Sequence, residues 1–243
     1  MLALRSAVFF LLLVVSTLLT AAIVVLLFFL PYRLRYAIAA QWVKFVLVSL
    51  KGLCDLSHRV EGAENIPEQP CIVFSKHQSA WETIALQSIF SPQTWVLKRE
   101  LLWIPFFGWA LALMGGIAID RSSGRKAVQQ IVEKGKGQLD KGRWVIIFPE
   151  GTRVAPGEER KFGIGGAVLA EKSGYPVVPV AHNAGEFWRR RGFIKYPGVI
   201  SVVVGQAIAT DGKSASQINA EAKQWMDREM ARISRKPEGQ ANK

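Results

Sequence analysis

The chain predicts an α/β domain with a largely parallel sheet flanked by helices, preceded by an apolar two-helix segment at the N-terminus. Two observations carry this. Beyond residue 53, short apolar runs alternate with amphipathic helical patterns, the rhythm of strands joined by crossover helices. Before it, Ser6 to Tyr32 contains no charged residue, and Ala7 to Leu30 is almost wholly Leu, Val, Phe, Ile and Ala. A run of that length exceeds the ~20 residues a helix needs to cross a hydrocarbon core.

A cleaved leader is the competing reading of the first segment, but its apolar region runs only about 7–15 residues. Thr20-Ala21-Ala22 resembles a cleavage site, yet Ile23 to Leu30 carry the apolar run straight past it. The segment therefore reads as a retained membrane helix. Arg5 precedes it and Arg33, Arg35, Lys44 and Lys51 follow, so the positive-inside rule places the C-terminal side in the cytoplasm. Leu34 to Leu53 reads as a second helix, with Leu34, Ile38, Trp42, Phe45, Ser49 and Leu53 at three- and four-residue spacing. Its basic and aromatic residues suit an element that spans, dips into or rests on a bilayer, and equally a domain helix with a solvated charged face.

From Arg59 onward the elements follow in order. Strands are expected at Arg59–Gly62 and Cys71–Ser75, and a helix at Ser79–Phe90, stopped by Ser91-Pro92. A strand at Thr94–Leu97, a helix at Pro105–Met114 and a strand at Gly116–Ile119 come next. Arg125–Lys141 reads as a polar-faced helix with Val128, Ile131, Val132 and Leu139 inward. Strands at Trp144–Phe148, Val177–Val180 and Ile200–Val204, a short helix near Gly165–Lys172 and an amphipathic helix at Ser216–Ile233 complete the set. The expected organisation is a membrane-associated segment over 1–53, a catalytic domain over 54–235 and a disordered tail over 236–243.

Composition narrows the partners. The 243 residues carry a net charge of +12 and half of them are apolar. Such a basic surface suits nucleic acid or the anionic face of a membrane, and the apolar N-terminus selects the membrane. Cys54 and Cys71 stand in no redox or metal spacing, His58, His77 and His182 match no zinc pattern, and Gly163, Gly165 and Gly166 make no dinucleotide loop. No metal and no nucleic acid are expected.

The chemistry is expected in His77-Gln78-Ser79-Ala80-Trp81-Glu82. Histidine accepts a proton near neutral pH, and a carboxylate fixes its tautomer and steadies its positive charge. On one continuous helix, residues five apart point about 140° away from each other. The pair therefore meets only if His77 lies in a strand-to-helix turn with Glu82 in the first turns that follow. Ser79, two residues on, reads as a helix cap.

Further motifs stand in order. Lys98, Leu101, Gly108 and Arg121 are separated by two, six and twelve residues, Phe148-Pro149-Glu150-Gly151-Thr152-Arg153 follows, and then Val178-Pro179-Val180. With the His77–Glu82 pair, these resemble the motifs of the glycerolipid acyltransferases over residues 58–210, above all the branch that acylates 1-acyl-sn-glycerol 3-phosphate to phosphatidic acid. One departure is central: Glu82 stands where that family usually has aspartate. The resemblance implies His77 as general base oriented by Glu82, and a substrate site built from Lys98, Arg121, Glu150, Gly151, Thr152 and Arg153. Arg153, whose planar fork donates two hydrogen bonds at once, leads the phosphate contacts, with Arg121 and Lys98 beside it. A Glu150–Arg153 ion pair capping the preceding strand is the bland alternative. No cofactor is implied beyond the acyl donor, acyl-CoA or acyl-acyl carrier protein; the expected acceptor is lysophosphatidic acid at an anionic phospholipid membrane. A sister enzyme using another lysolipid, a lyso-aminolipid or glycerol 3-phosphate fits the same motifs. A non-catalytic basic scaffold does not explain them.

Two aromatic clusters remain. Trp103 to Trp109 suits core packing or a membrane-facing, acyl-lining surface. Phe187-Trp188-Arg189-Arg190-Arg191 suits a surface resting on anionic headgroups or steering an acidic carrier protein, or a solvated basic loop.

Overall fold

A computed structural model of the chain describes residues 1–234. The expected tail over 236–243 lies outside them. Its elements are α1 (Leu2–Leu26), α2 (Tyr32–Cys54), β1 (Leu56–Glu61), β2 (Ile72–Ser75), α3 (Trp81–Ile89), β3 (Gln93–Lys98), α4 (Phe107–Leu113) and β4 (Ile117–Ile119). Then follow α5 (Arg125–Leu139), β5 (Trp144–Ile147), α6 (Gly165–Ser173), β6 (Val177–His182), α7 (Ala184–Phe187), β7 (Gly198–Val204) and α8 (Ala215–Ile233).

The strands form one seven-stranded sheet in the order β1-β7-β6-β2-β5-β3-β4. Its neighbours are parallel except at β6–β7, where Val180 to His182 pair antiparallel with Val204 to Val202. Both faces are covered, and the strands read as apolar runs for that reason. Successive side chains alternate between two cores. Cys71, Val73, Trp144 and Ile146 pack with α2, α3 and α7 on one face. Ile72, Phe74, Val145 and Ile147 pack with α5, α6 and α8 on the other. Gly135 and Gly166 allow this close approach: an added Cβ would meet Leu169 at 2.6 Å and Phe74 at 2.6 Å. Helix α8 begins with a capping box, in which Ser214 and Gln217 satisfy each other's backbone N–H groups.

The two N-terminal helices share the domain's core. Phe9, Val43, Val46, Leu50 and Cys54 belong to the same buried cluster as the strand residues. Helix α1, 25 residues and so about 37 Å long, touches the domain near both ends. Near its start, Phe9 meets Trp188 edge-on at 5.5 Å and Ser6 Oγ accepts the Lys195 N–H at 3.0 Å. Near its end, Ala21 and Val24 pack with Tyr36 of α2 and with Ala110 and Met114 of the α4 region. The buried Lys195 ammonium makes the first junction: it donates to Phe193 O at 2.8 Å and lies over the rings of Phe9, Phe10, Trp188 and Phe193 at 5.0–5.9 Å. Burial lowers the pKa of this ammonium. The opposite face of α1, with Leu11, Val15, Leu18 and Leu19, is exposed and apolar.

Docking of α1 makes a prediction. Phe9→Ala, a deletion from a closed core, should destabilise the protein by about 3–5 kcal/mol. Leu11→Ala, on the exposed face, should change it by less than about 0.5 kcal/mol. Thermal unfolding in detergent measures both, and equal effects would mean that α1 is an undocked tether.

Candidate active site

In an open α/β sheet, functional groups gather beyond the carboxyl ends of the parallel strands. The order β6-β2-β5-β3-β4 brings His182, His77, Phe148–Arg153, Lys98 and Arg121 to that end, each in or just after its strand.

His77 occupies the turn between β2 and α3, and Glu82 the first turn of α3. One oxygen of Glu82, Oε1, accepts from His77 Nδ1 at 2.8 Å, from Gln78 N at 2.8 Å and from Ser79 N at 2.7 Å. Ser79 Oγ accepts the Trp81 N–H at 3.2 Å, a turn contact one residue before the N-cap, which is Ala80 and not Ser79. Glu82 is fully buried, while the His77 side chain is 14% exposed. A carboxylate on Nδ1 holds the proton there and leaves Nε2 with the free lone pair.

The ring of His77 stacks on Phe148 with centroids 4.1 Å apart and planes 17° from parallel. Its backbone is held from the β5 side: His77 N donates to Glu150 Oε2 at 3.1 Å, and His77 O accepts from Val154 N at 2.8 Å. Glu150 Oε1 pairs with Lys76 Nζ at 2.6 Å. The ion pair of Glu150 is thus with Lys76 instead of Arg153, because the buried carboxylate faces the neighbouring strand end and not its own loop. Gly151 turns that loop with a φ of 69°, a conformation costly for any side chain.

The electrostatics follow from burial and partners. Burial pushes the Glu82 carboxyl up, but the imidazoles of His182 and His77 and the Ser79 N–H outweigh it, and the group lies below its ordinary value of 4.5. Glu150 goes the other way: burial raises its carboxyl and Lys76 offsets only part of the rise.

A cavity of about 650 Å³ opens at His77, within the roughly 300–1,000 Å³ typical of ligand sites. Its apolar walls come from α1, α2 and α4, including Leu13, Ala21, Trp42 and Ala110. Thr152, Arg153 and Lys98 line it as well, Lys98 also lying 3.4 Å from Glu100. Arg121 opens the short turn after β4, its side chain outside the described residues.

Some contributors were not legible. Arg190 and Arg191 line the cavity, and Arg190 Nη1 donates to Arg153 O at 2.9 Å, tying the loop after α7 to the Arg153 turn. The sequence reading put Phe187 to Arg191 on the surface; Arg189, Arg190 and Arg191 are exposed as expected, but Phe187 and Trp188 are buried in the core. Trp103, Phe106 and Trp109 are the exposed cluster instead. Among the described residues, no group of three His, Cys, Asp or Glu side chains is placed to hold a metal ion.

A family model described as Acyltransferase matches residues 57–183. The chain is 48% identical over 209 residues to a 1-acyl-sn-glycerol-3-phosphate acyltransferase of Pseudomonas aeruginosa, covering 84% of this chain and 81% of that one. This protein belongs to the acyltransferase family. Other relatives of this acyltransferase include the 1-acyl-sn-glycerol-3-phosphate acyltransferase of Saccharomyces cerevisiae, 34% identical over 58% of this chain and 48% of that one. The human alpha form is 30% identical over 73% and 64% respectively. Among solved structures, the 1-acyl-sn-glycerophosphate acyltransferase of Thermotoga maritima shares the fold with a TM-score of 0.78 at 22% identity, over 99% of this chain and 97% of that one.

The depressed pKa of Glu82 sets a pH-dependent stability. Its charge stabilises the fold above its unfolded value, near 4.5, and that contribution is lost as pH falls through the lower folded value. Glu82→Gln should therefore destabilise the protein at pH 7 by about 2–3 kcal/mol. The gap to wild type should narrow below about pH 4. Unfolding followed at both pH values tests this, and a gap independent of pH would contradict it.

Proposed function

We propose that this acyltransferase moves an acyl group from a thioester to the sn-2 hydroxyl of 1-acyl-sn-glycerol 3-phosphate, forming phosphatidic acid. The observation that carries the reading is the His77–Glu82 pair, opening on an apolar cavity with cations on its wall. The names of the relatives in Pseudomonas, yeast and human point to the same acceptor.

The residues then have distinct tasks. His77 Nε2 takes the proton from the acceptor hydroxyl as its oxygen attacks the thioester carbonyl. Glu82 stabilises the imidazolium that results. When the tetrahedral adduct collapses, the carbon–sulfur bond breaks and the thiolate leaves, recovering the proton from His77. A protein nucleophile is unnecessary because the thioester is already activated, and no cofactor is required beyond the acyl donor, acyl-CoA or acyl-acyl carrier protein. Arg153 leads the contacts to the acceptor phosphate, with Lys98 and Arg121 adding positive charge and Gly151 and Thr152 forming the adjoining loop. Glu150 acts from behind, buried against Lys76 and the His77 backbone.

Lipid access follows from α1 and α2. Both are long and apolar enough to enter a membrane. Because α1 touches the domain near both ends, we infer that the 1–53 hairpin inserts beside the 54–235 domain from one membrane face, the cytoplasmic one by the positive-inside rule. Anionic headgroups would then meet the arginines at the cavity.

His77→Ala should lower kcat by about 10²–10⁴-fold, leaving the KM for lysophosphatidic acid within a few-fold. Retention of wild-type turnover by a folded His77→Ala protein would refute the mechanism. Arg153→Ala should raise the KM for lysophosphatidic acid by about 10–100-fold, the loss of a charge-assisted contact, with a smaller effect on the donor. A larger effect on the donor would move the phosphate site elsewhere. A panel of lysolipids, lyso-aminolipids and glycerol 3-phosphate with labelled acyl thioester checks the acceptor.

A further inference from the structure

His182 is a fully buried imidazole at the carboxyl end of β6, and the mechanism above leaves it without a task. Its partners define its state. Nδ1 accepts the Ala184 N–H at 3.3 Å, so Nε2 carries the proton and donates to Lys76 O at 2.8 Å. The ring is thus neutral, in keeping with burial, which lowers its pKa. The same Nε2 lies 4.0 Å from Glu82 Oε2. That oxygen is buried with no hydrogen-bond partner among the described residues, an expensive condition for a carboxylate. Trp81 closes the other side of the imidazole, edge-on at 5.9 Å.

We propose that His182 is a positioning residue for the His77–Glu82 pair. Its Nε2–H fixes the carbonyl of Lys76 and, with it, the peptide that leads into His77. The same nitrogen lies 4.0 Å from the second oxygen of Glu82, close enough for its N–H dipole to act on that charge. One group therefore holds the base by its backbone and the orienting carboxylate by its charge. Glutamate at position 82 belongs to this arrangement. With Oε1 engaged by His77, Gln78 and Ser79, the longer side chain sets Oε2 towards β6, where an aspartate held by the same donors would fall short.

The inference rests on His77 acting as the base, and the experiment separates the two. Glutamine places an amide nitrogen near the position of Nε2, whereas asparagine places one near Nδ1 and cannot reach Lys76. In full-length protein in detergent, assayed with lysophosphatidic acid and acyl-CoA, His182→Asn should lower kcat by about 10–100-fold, as displaced catalytic groups do. The KM for lysophosphatidic acid should stay within a few-fold, and His182→Gln should restore most of the turnover. Wild-type kcat in folded His182→Asn, or equal losses in the Asn and Gln variants, would overturn the proposal. If His182→Asn does not fold, His182→Gln alone carries the test: turnover near wild type supports a donor at the Nε2 position, and a loss of turnover in the folded variant refutes it. An inert His77→Ala beside a fully active His182→Asn removes only the role of His182. An active His77→Ala removes the reading beneath it.

Discussion

A carboxylate with no exposure to water is the constraint on which the structure around the site depends. Glu82 remains charged in the interior because the N–H groups of Gln78 and Ser79 and the His77 ring converge on one of its oxygens. That convergence requires the chain to turn sharply between the end of β2 and the start of α3. The turn is in turn held from three sides. Glu150 and Val154 bind the His77 backbone from the loop after β5, His182 binds the Lys76 carbonyl from β6, and Gln78 Oε1 accepts the Gly185 N–H from α7. Only a sheet with β2 between β5 and β6 delivers all of these contacts.

The same adjacency explains why the site lies at a seam. His77 meets the buried carboxylate through Nδ1 and also lines the cavity, whose walls combine the N-terminal hairpin with α4 and with Trp95 to Lys98 of β3. The hairpin is therefore part of the cavity. Cations and apolar side chains both line the cavity, so one ligand with a charged head and a hydrocarbon tail matches its lining. Burial of Glu82 strengthens its hold on the imidazole, because charges attract far more strongly in a low-dielectric setting.

What could be read from the chain was what depends on nearby residues. Helix geometry set the condition for contact between His77 and Glu82, a turn and then a helix, and the motifs further along the chain gave the reason to expect it. The strands from β2 to β7 followed from apolar runs bounded by turn residues. Direction was not legible: Val177–His182 and Gly198–Val204 look alike as sequence, yet they are the antiparallel pair. Nor was the partner of Glu150, because Lys76 lies on the neighbouring strand end and only sheet order brings the two together. The place of Arg190 and Arg191 on the cavity was not legible for a related reason. The run of arginines is exposed as its charge suggests, but only the burial of the preceding Phe187 and Trp188 sets two of them beside the site.

Glu82 also shows why fold and chemistry are hard to separate here. A glutamate in the first turn of a helix that reaches back to preceding N–H groups is a stabilising device found at helix starts generally. In this chain the same oxygen orients an imidazole. The bonds that end the strand, begin the helix and hold the His77 tautomer are one set, so the site has little freedom to relax independently of the fold. Substituting any member should be felt both as stability and as turnover. The variants that distinguish those effects are the ones that keep a hydrogen bond while moving its atom, which at position 182 glutamine and asparagine do in opposite ways.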